Sequence, residues 1–308
     1  MSSESTGPAI RARANYGGQA VVEGVMIRGP RAVATAVRKP DGEIAVRSKL
    51  LGGLYSARLR RVPLLRGVLV LWETLALGIS ALTWSSAVAN DEVDEHGEAK
   101  PLGVAGWAFL ALMLLVALAF FFAGPVAATA WLERRFPSPV VIAFEGVLRI
   151  GLLIGYIWLI GRSQEVARVF QYHAAEHMTI SAFEHGRELS VQAIRRFPKE
   201  HPRCGTSFLL TVAVIAALAF ILVGAEPLWW RFASRLALVP LIAGVAYEAI
   251  RFAGNRLDRP LVQALFSANI ALQHLTTRPP DDAQIQVAVA SLEAVLEEES
   301  APLEGAPR

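Results

Sequence analysis

The 308-residue chain contains a single cysteine, Cys204. An internal disulfide is therefore excluded, and the thiol is inert core, a reactive group or a metal ligand. Charge is also scarce. Asp, Glu, Lys and Arg make up 19% of the residues, against about a quarter in soluble domains. The opening MSSESTGPAIRARANYGG has no apolar core of the kind a secretory signal needs, so insertion through internal transmembrane helices is expected. No internal repeat is present. GGQAVVEGVM is glycine-rich, but no Lys-Ser/Thr follows and the glycine spacing is wrong, which excludes a phosphate loop or a dinucleotide fingerprint. The pI near 9.2 comes mostly from Met1–Arg66, where twelve Lys/Arg face four Asp/Glu. No aromatic residues interleave with those bases, so nucleic acid is not the expected partner, and the excess reads as a cytoplasmic flank obeying the positive-inside rule.

What the chain has in excess is apolar length. Hydrophobic residues make up 54%, the mean hydropathy is +0.41, and the apolar residues are gathered into runs. The expected fold is mainly α: a polytopic membrane protein with about four transmembrane helices and a small N-terminal β hairpin or meander. Residues 1–15 read as a disordered N-terminus and 16–61 as a small cytoplasmic β region. In that region Ala32–Val37 and Glu43–Val46 alternate around the turn Lys39-Pro40-Asp41-Gly42, with Gly17, Gly18, Gly24 and Gly29 at bends. Residues 62–100 read as an interfacial or re-entrant helix, with Arg66 and Glu73 on one face, followed by an acidic linker. Residues 101–161 hold the first two spans: uncharged Trp107–Ala130, with a kink expected at Gly124-Pro125, then Val140–Gly161. A His/Cys loop fills 162–204, the third and fourth spans fill 205–254, and C-terminal helices broken at Pro279-Pro280 fill 255–308. Ile285, Val289, Leu292 and Leu296 form an apolar stripe on the last of these helices.

Charge decides the orientation. With 62–89 not crossing, both termini and the 162–204 loop, with its seven Lys/Arg, are cytoplasmic; if 62–89 crossed, those seven charges would be forced outside. A cytoplasmic loop and four spans in the lipid bilayer are therefore expected, with Trp229 and Trp230 at the outer interface.

Four of the six histidines and the cysteine fall within Tyr172–Cys204. His173 and His177 are four apart in a helical segment, which places both imidazoles on one face and suits a shared metal. Glu176 lies beside them and Glu184 returns to the same stripe. The order is HAAEH rather than the HExxH of zinc proteases, so that mechanism does not carry over. His201 and Cys204 form an H-x-x-C knuckle that can present both side chains to one metal. A full His₃Cys set gives a closed structural zinc site. Three ligands plus water give a catalytic one, with Glu176 as base. The competing reading of each histidine alone is an ordinary polar loop residue at a membrane surface, and of Cys204 a small buried residue.

Ionisable groups within spans are the other signal. Glu145 and Arg149, at i and i+4, can pair with each other, and Glu248 and Arg251 lie near a helix end and can snorkel. A transport pathway would call for more such groups near mid-bilayer.

YGGQAVVEGVMIRGP, FQYHAAEHMTI, HPRCGTSF and LQHLTTRPPDD occur in this order along residues 15–295. Together they resemble the YqhQ-like family of bacterial integral membrane proteins, a domain of unknown function. The resemblance implies an integral membrane protein, sometimes described as a metal-dependent enzyme. The matching motif residues are Glu23, His173, Glu176, His177, His201, Arg203 and Cys204. The resemblance supplies no substrate. The resulting expectation is a bacterial inner-membrane protein with a divalent metal, most simply zinc, on His173, His177 and Cys204, with His201 as fourth ligand or close neighbour. Metal-assisted hydrolysis with Glu176 as base is the leading activity. The alternatives are a scaffold or regulatory protein with a structural metal, and a small transporter.

Overall fold

The computed structural model describes residues 16–52, 62, 64–101, 103–201, 204–224, 227–254, 256 and 259–301. The expected disorder of residues 1–15 falls outside them, as does Arg203.

Strands β1 (Gly17–Val21), β2 (Gly24–Arg28), β3 (Ala32–Arg38) and β4 (Ile44–Leu50) form an antiparallel meander in chain order. The central strands are apolar at nearly every position because both faces of the sheet are covered. Val25, Ile27, Ala34 and Ala36 point to one core, while Met26, Val33 and Val37 point to the other. The β3–β4 connection is the turn read from the sequence, with Gly42 at φ 92° and its N–H donating to Lys39 O at 3.0 Å. Gly17 and Gly18 lie inside β1 rather than at a bend. The residue that turns the β1–β2 hairpin is instead Glu23, at φ 48°.

Helix α1 (Leu65–Ala89) covers the second face of the sheet with Leu77, Ala81, Trp84 and Val88, a helical stripe of spacing four, three and four. Its opposite side leaves Trp72 and Leu75 exposed. Arg66 and Glu73 do not meet. Arg66 donates to Glu248 at 2.6 Å, and Glu73 accepts from Arg28 of β2 at 3.4 Å.

Helix α2 (Val104–Leu118) runs on through a π-helical turn, Ala119–Ala123, into α3 (Gly124–Thr129) and a 3₁₀ turn, Ala130–Arg134. The π turn directly precedes Gly124-Pro125, where the kink was expected. Pro125 has no N–H for the carbonyl of Phe121, and that carbonyl accepts from Arg149 at 3.0 Å instead. Then come α4 (Ser138–Ile160), α5 (Gln164–Glu184), the short α6 (Val191–Ile194), α7 (Thr206–Val223), α8 (Leu228–Ala237), α9 (Val239–Gly254), α10 (Pro260–Thr276) and α11 (Asp282–Ser300).

Among the described residues three helices are long and apolar enough to cross a membrane: Arg66–Ala89, Val104–Arg134 and Ser138–Ile160. The α8–α9 pair, bent by 45°, makes a fourth if it counts as one span. This set differs from the sequence reading in two members. The apolar part of α7, Phe208–Val223, is shorter than a full span, and α1 qualifies by length and composition although Leu77, Ala81, Trp84 and Val88 pack on the sheet.

The first face of the sheet packs on α5, α6 and α11 through Tyr172, Ile180, Ile194, Ile285 and Leu292. The N-terminal sheet, the His/Cys loop and the C-terminal helix therefore share one core. Helix α11 starts on a capping box, Asp281 with Gln284, at the Asp-Asp read as its N-terminus. Its buried stripe is Ile285, Ala288, Leu292 and Val295, with Val289 and Leu296 only partly covered. Helix α10 is tied to the membrane helices rather than standing apart: Asn269 donates to Thr211 of α7 at 3.2 Å, and Leu272 packs with Ile157 of α4.

Candidate metal centre

Helix α5 begins where Ser163 caps the N–H of Val166. It is then buried on nearly all sides from Tyr172 to Phe183, between the sheet and α11. The four-residue spacing brings the rings of His173 and His177 to 4.4 Å between centroids. Each ring is oriented by a backbone carbonyl: His173 Nδ1 lies 2.8 Å from Thr276 O, at the end of α10, and His177 Nδ1 lies 2.7 Å from Lys199 O. A carbonyl only accepts, so both Nδ1 atoms carry the proton and both Nε2 atoms present a lone pair.

Those lone pairs converge on Cys204. Its sulfur lies 3.1 Å from His173 Nε2, and one ligand atom from each of His173, His177 and Cys204 lies within 4.8 Å of the others. Donors around a tetrahedral zinc are separated by about 3.5 Å, so an ion would need the 3.1 Å His173–Cys204 approach to open slightly, while the remaining separations are at most 4.8 Å. His177 and Cys204 are buried and His173 is of intermediate exposure. The turn before α7 sets the sulfur. Cys204 N–H donates to His201 O at 3.2 Å, and Thr206 brings its N–H to 3.4 Å and its hydroxyl to 3.0 Å from the sulfur.

The H-x-x-C knuckle does not present both side chains to one point. Cys204 joins the two α5 histidines, while His201 Nε2 lies 3.5 Å from Glu184, with its ring 5.7 Å from that of His177. Gln273 of α10 holds the His201 backbone from both sides, accepting its N–H at 2.8 Å and donating to its carbonyl at 2.9 Å. Burial pushes the His177 and His201 imidazoles below their ordinary value, so both are neutral at pH 7. For His177 the neighbouring Cys204 partly offsets that effect.

Glu176 is buried beside this group, with Oε2 3.5 Å from His177 Nε2. Burial raises its carboxyl above the usual range, against the opposing pull of His173, His201 and the N–H of Gly18. Glu23 is not at the ligand atoms. Its carboxylate accepts from Arg168 at 2.6 Å and from the Tyr172 hydroxyl at 3.2 Å, and the arginine holds it below the usual carboxylate range. His185 bonds back to Ser181 of its own helix, and His274 is exposed against Glu200.

Four contributors escaped sequence reasoning: the carbonyls of Thr276 and Lys199, the side chain of Gln273, and Gly18. Thr276 and Gln273 lie in the LQHLTTRPP segment, which was legible as a motif but offered no chemistry of its own.

The family described as "Protein of unknown function (DUF1385)" matches residues 62–298. The chain is also 33% identical over 296 residues to "Uncharacterized protein YqhQ" of Bacillus subtilis (strain 168), covering 91% of this chain and 92% of that protein. No solved structure matches.

Proposed function

This chain belongs to the DUF1385 family of unknown function, and on that premise we propose that it is a multi-pass protein of the bacterial cytoplasmic membrane that holds a divalent metal at its cytoplasmic face and uses it for hydrolysis. His173, His177 and Cys204 are the ligands. A set of two imidazoles and one thiolate favours zinc among the common divalent ions. The observation that carries the reading is the pair of carbonyl-held Nδ1 atoms, which leaves both Nε2 lone pairs facing one sulfur. Such outer partners are how metal-binding histidines are usually oriented.

Three protein ligands leave one position for water, which distinguishes a catalytic zinc site from a closed structural one. A zinc ion bound there would lower the pKa of that water and polarise a substrate carbonyl or phosphoryl oxygen. Glu176 is the base. Its raised carboxyl brings it nearer the operating pH, and it lies against His177. His201 is a close neighbour of the site that positions Glu184. The seven Lys/Arg of the 162–204 loop favour the cytoplasm for this face.

Metal analysis of detergent-purified protein tests the site. About one equivalent is expected in the wild type, with loss in His173→Ala and Cys204→Ser. Equal, substoichiometric metal in all three proteins would remove the proposal. Absorption of the cobalt-substituted protein then tests the reaction class: a five-coordinate or water-sensitive spectrum supports hydrolysis, and a closed four-ligand spectrum would mean that the metal only folds the loop.

A further inference from the structure

About 10 Å along α4 from its start, one carboxylate gathers three guanidinium groups. Glu145 accepts from Arg149 at 2.7 Å, from Arg231 of α8 at 3.0 and 2.8 Å, and from Arg235 of α8 at 3.5 Å. Glu133 takes a further bond from Arg231. The three arginines and Glu145 are all buried, Arg231 and Glu145 completely. This group is far from the metal centre: Glu145 lies about 22 Å along the same helix from Ile160, the end that leads into α5.

The charges do not balance. Three guanidinium groups face two carboxylates among the described residues, and arginine cannot shed its proton to escape. Glu145 is also saturated, since a carboxylate has about four acceptor positions and these four bonds occupy them. Other acceptors are backbone or neutral: Arg149 uses the Phe121 carbonyl freed by Pro125, Arg231 the Thr129 hydroxyl, and Arg235 the Gly224 carbonyl and the Ser234 hydroxyl. Two guanidinium nitrogens, Arg149 Nη1 and Arg235 Nη2, remain buried without an acceptor. Both arginines bond the same oxygen of Glu145, and both lie over the ring of Phe220, at 5.3 and 4.5 Å from its centroid. Two adjacent cations with unmet donors away from water are destabilising unless a counter-charge is present.

We propose that this cluster is a binding site for one small monovalent anion of halide size, taken up by Arg149 Nη1 and Arg235 Nη2. The single excess charge sets the valence. Burial of all four side chains sets the size, excluding a lipid headgroup.

The test uses the full-length protein in detergent, exchanged into sodium gluconate and titrated with chloride or bromide at constant ionic strength. Thermal unfolding is followed by tryptophan fluorescence. A saturable rise of about 5 °C is expected, with no rise for inorganic phosphate or for phosphatidylglycerol over phosphatidylcholine. The rise should vanish in Arg235→Met and in Arg149→Met. Because removing an arginine can compromise insertion itself, the wild-type titration is decisive alone. A flat halide titration, as when the charge is met by a carboxylate of the chain, would overturn the site. So would a response to phosphate or lipid only, or an undiminished response in folded Arg235→Met protein.

Discussion

Gly18, in the first strand, packs directly against the buried side chain of Glu176 on α5. The N-terminal sheet thereby reaches the centre of the His/Cys cluster, with a glycine at the contact because nothing larger fits. A methyl group there would collide with the backbone oxygen of Met26 and press on the Glu176 side chain at 3.1 Å.

Gly18→Ala should destabilise the protein by about 1–3 kcal/mol through overpacking, read as a lower midpoint of thermal unfolding. The three proposed metal ligands are not among the atoms nearest Gly18, so the purified variant should keep its metal. A variant as stable as wild type would show that Glu176 has room to move, and metal loss equal to that of His173→Ala would show that the sheet holds the ligands themselves.

The separate placement of His201 has its own consequence. His177→Ala should strip the metal, whereas His201→Ala should retain it at near-full stoichiometry, with an affinity loss within the 10–100-fold typical of outer partners. Competition with a chromogenic chelator measures both. Equivalent loss in the two variants would make His201 a fourth ligand.

Stability of the chelated protein should depend on pH through the buried histidines. His177 and His201 have folded pKa values below the ordinary 6.5. Their contribution is therefore complete above about pH 6.5 and is lost as pH falls through the depressed values. Glu176, raised by burial, acts in the opposite sense, stabilising at low pH and losing that effect as pH rises through its folded value. The histidine share is isolated as the difference between wild type and His201→Asn. That difference should shrink as pH falls from 8 to 5, and a pH-independent difference would mean that His201 is as easily protonated in the fold as outside it.

Topology is testable at two exposed positions, Asp41 in the β3–β4 turn and Ser300 at the end of α11. In intact cells a membrane-impermeant maleimide should label neither Asp41→Cys nor Ser300→Cys, and it should label both after permeabilisation. Labelling of both from outside would reverse the proposed orientation. Labelling of one alone would contradict the core that the sheet shares with α11.

Local patterns reported local structure well. The turn Lys39–Gly42, the Asp281 cap and the helical pair His173/His177 each depend on a few adjacent residues, and each is where the spacing placed it. Patterns that depend on a distant partner were misread. Arg66 and Glu73 share a helix face but bond to Glu248 and Arg28, because tertiary neighbours outcompete a partner seven residues away. His201 and Cys204 looked like one knuckle, yet Gln273 of α10 clamps the backbone of the first while the second turns to α5. Glu145 and Arg149 do pair as their spacing implied, but the larger cluster needed α8 folded back against α4.

Composition and hydropathy by themselves determined the class of this protein, a mainly helical membrane chain with a small sheet, because apolar runs of span length leave few other solutions. Side-chain periodicity likewise determined that His173 and His177 share a face. Tertiary structure alone decided that the Cys204 sulfur meets them, which carbonyls orient their rings, and that Gly18 carries the N-terminal sheet to Glu176. Those choices rest on contacts between segments far apart in the chain, and they arise only when burial of the shared core brings the sheet, α5 and α11 together.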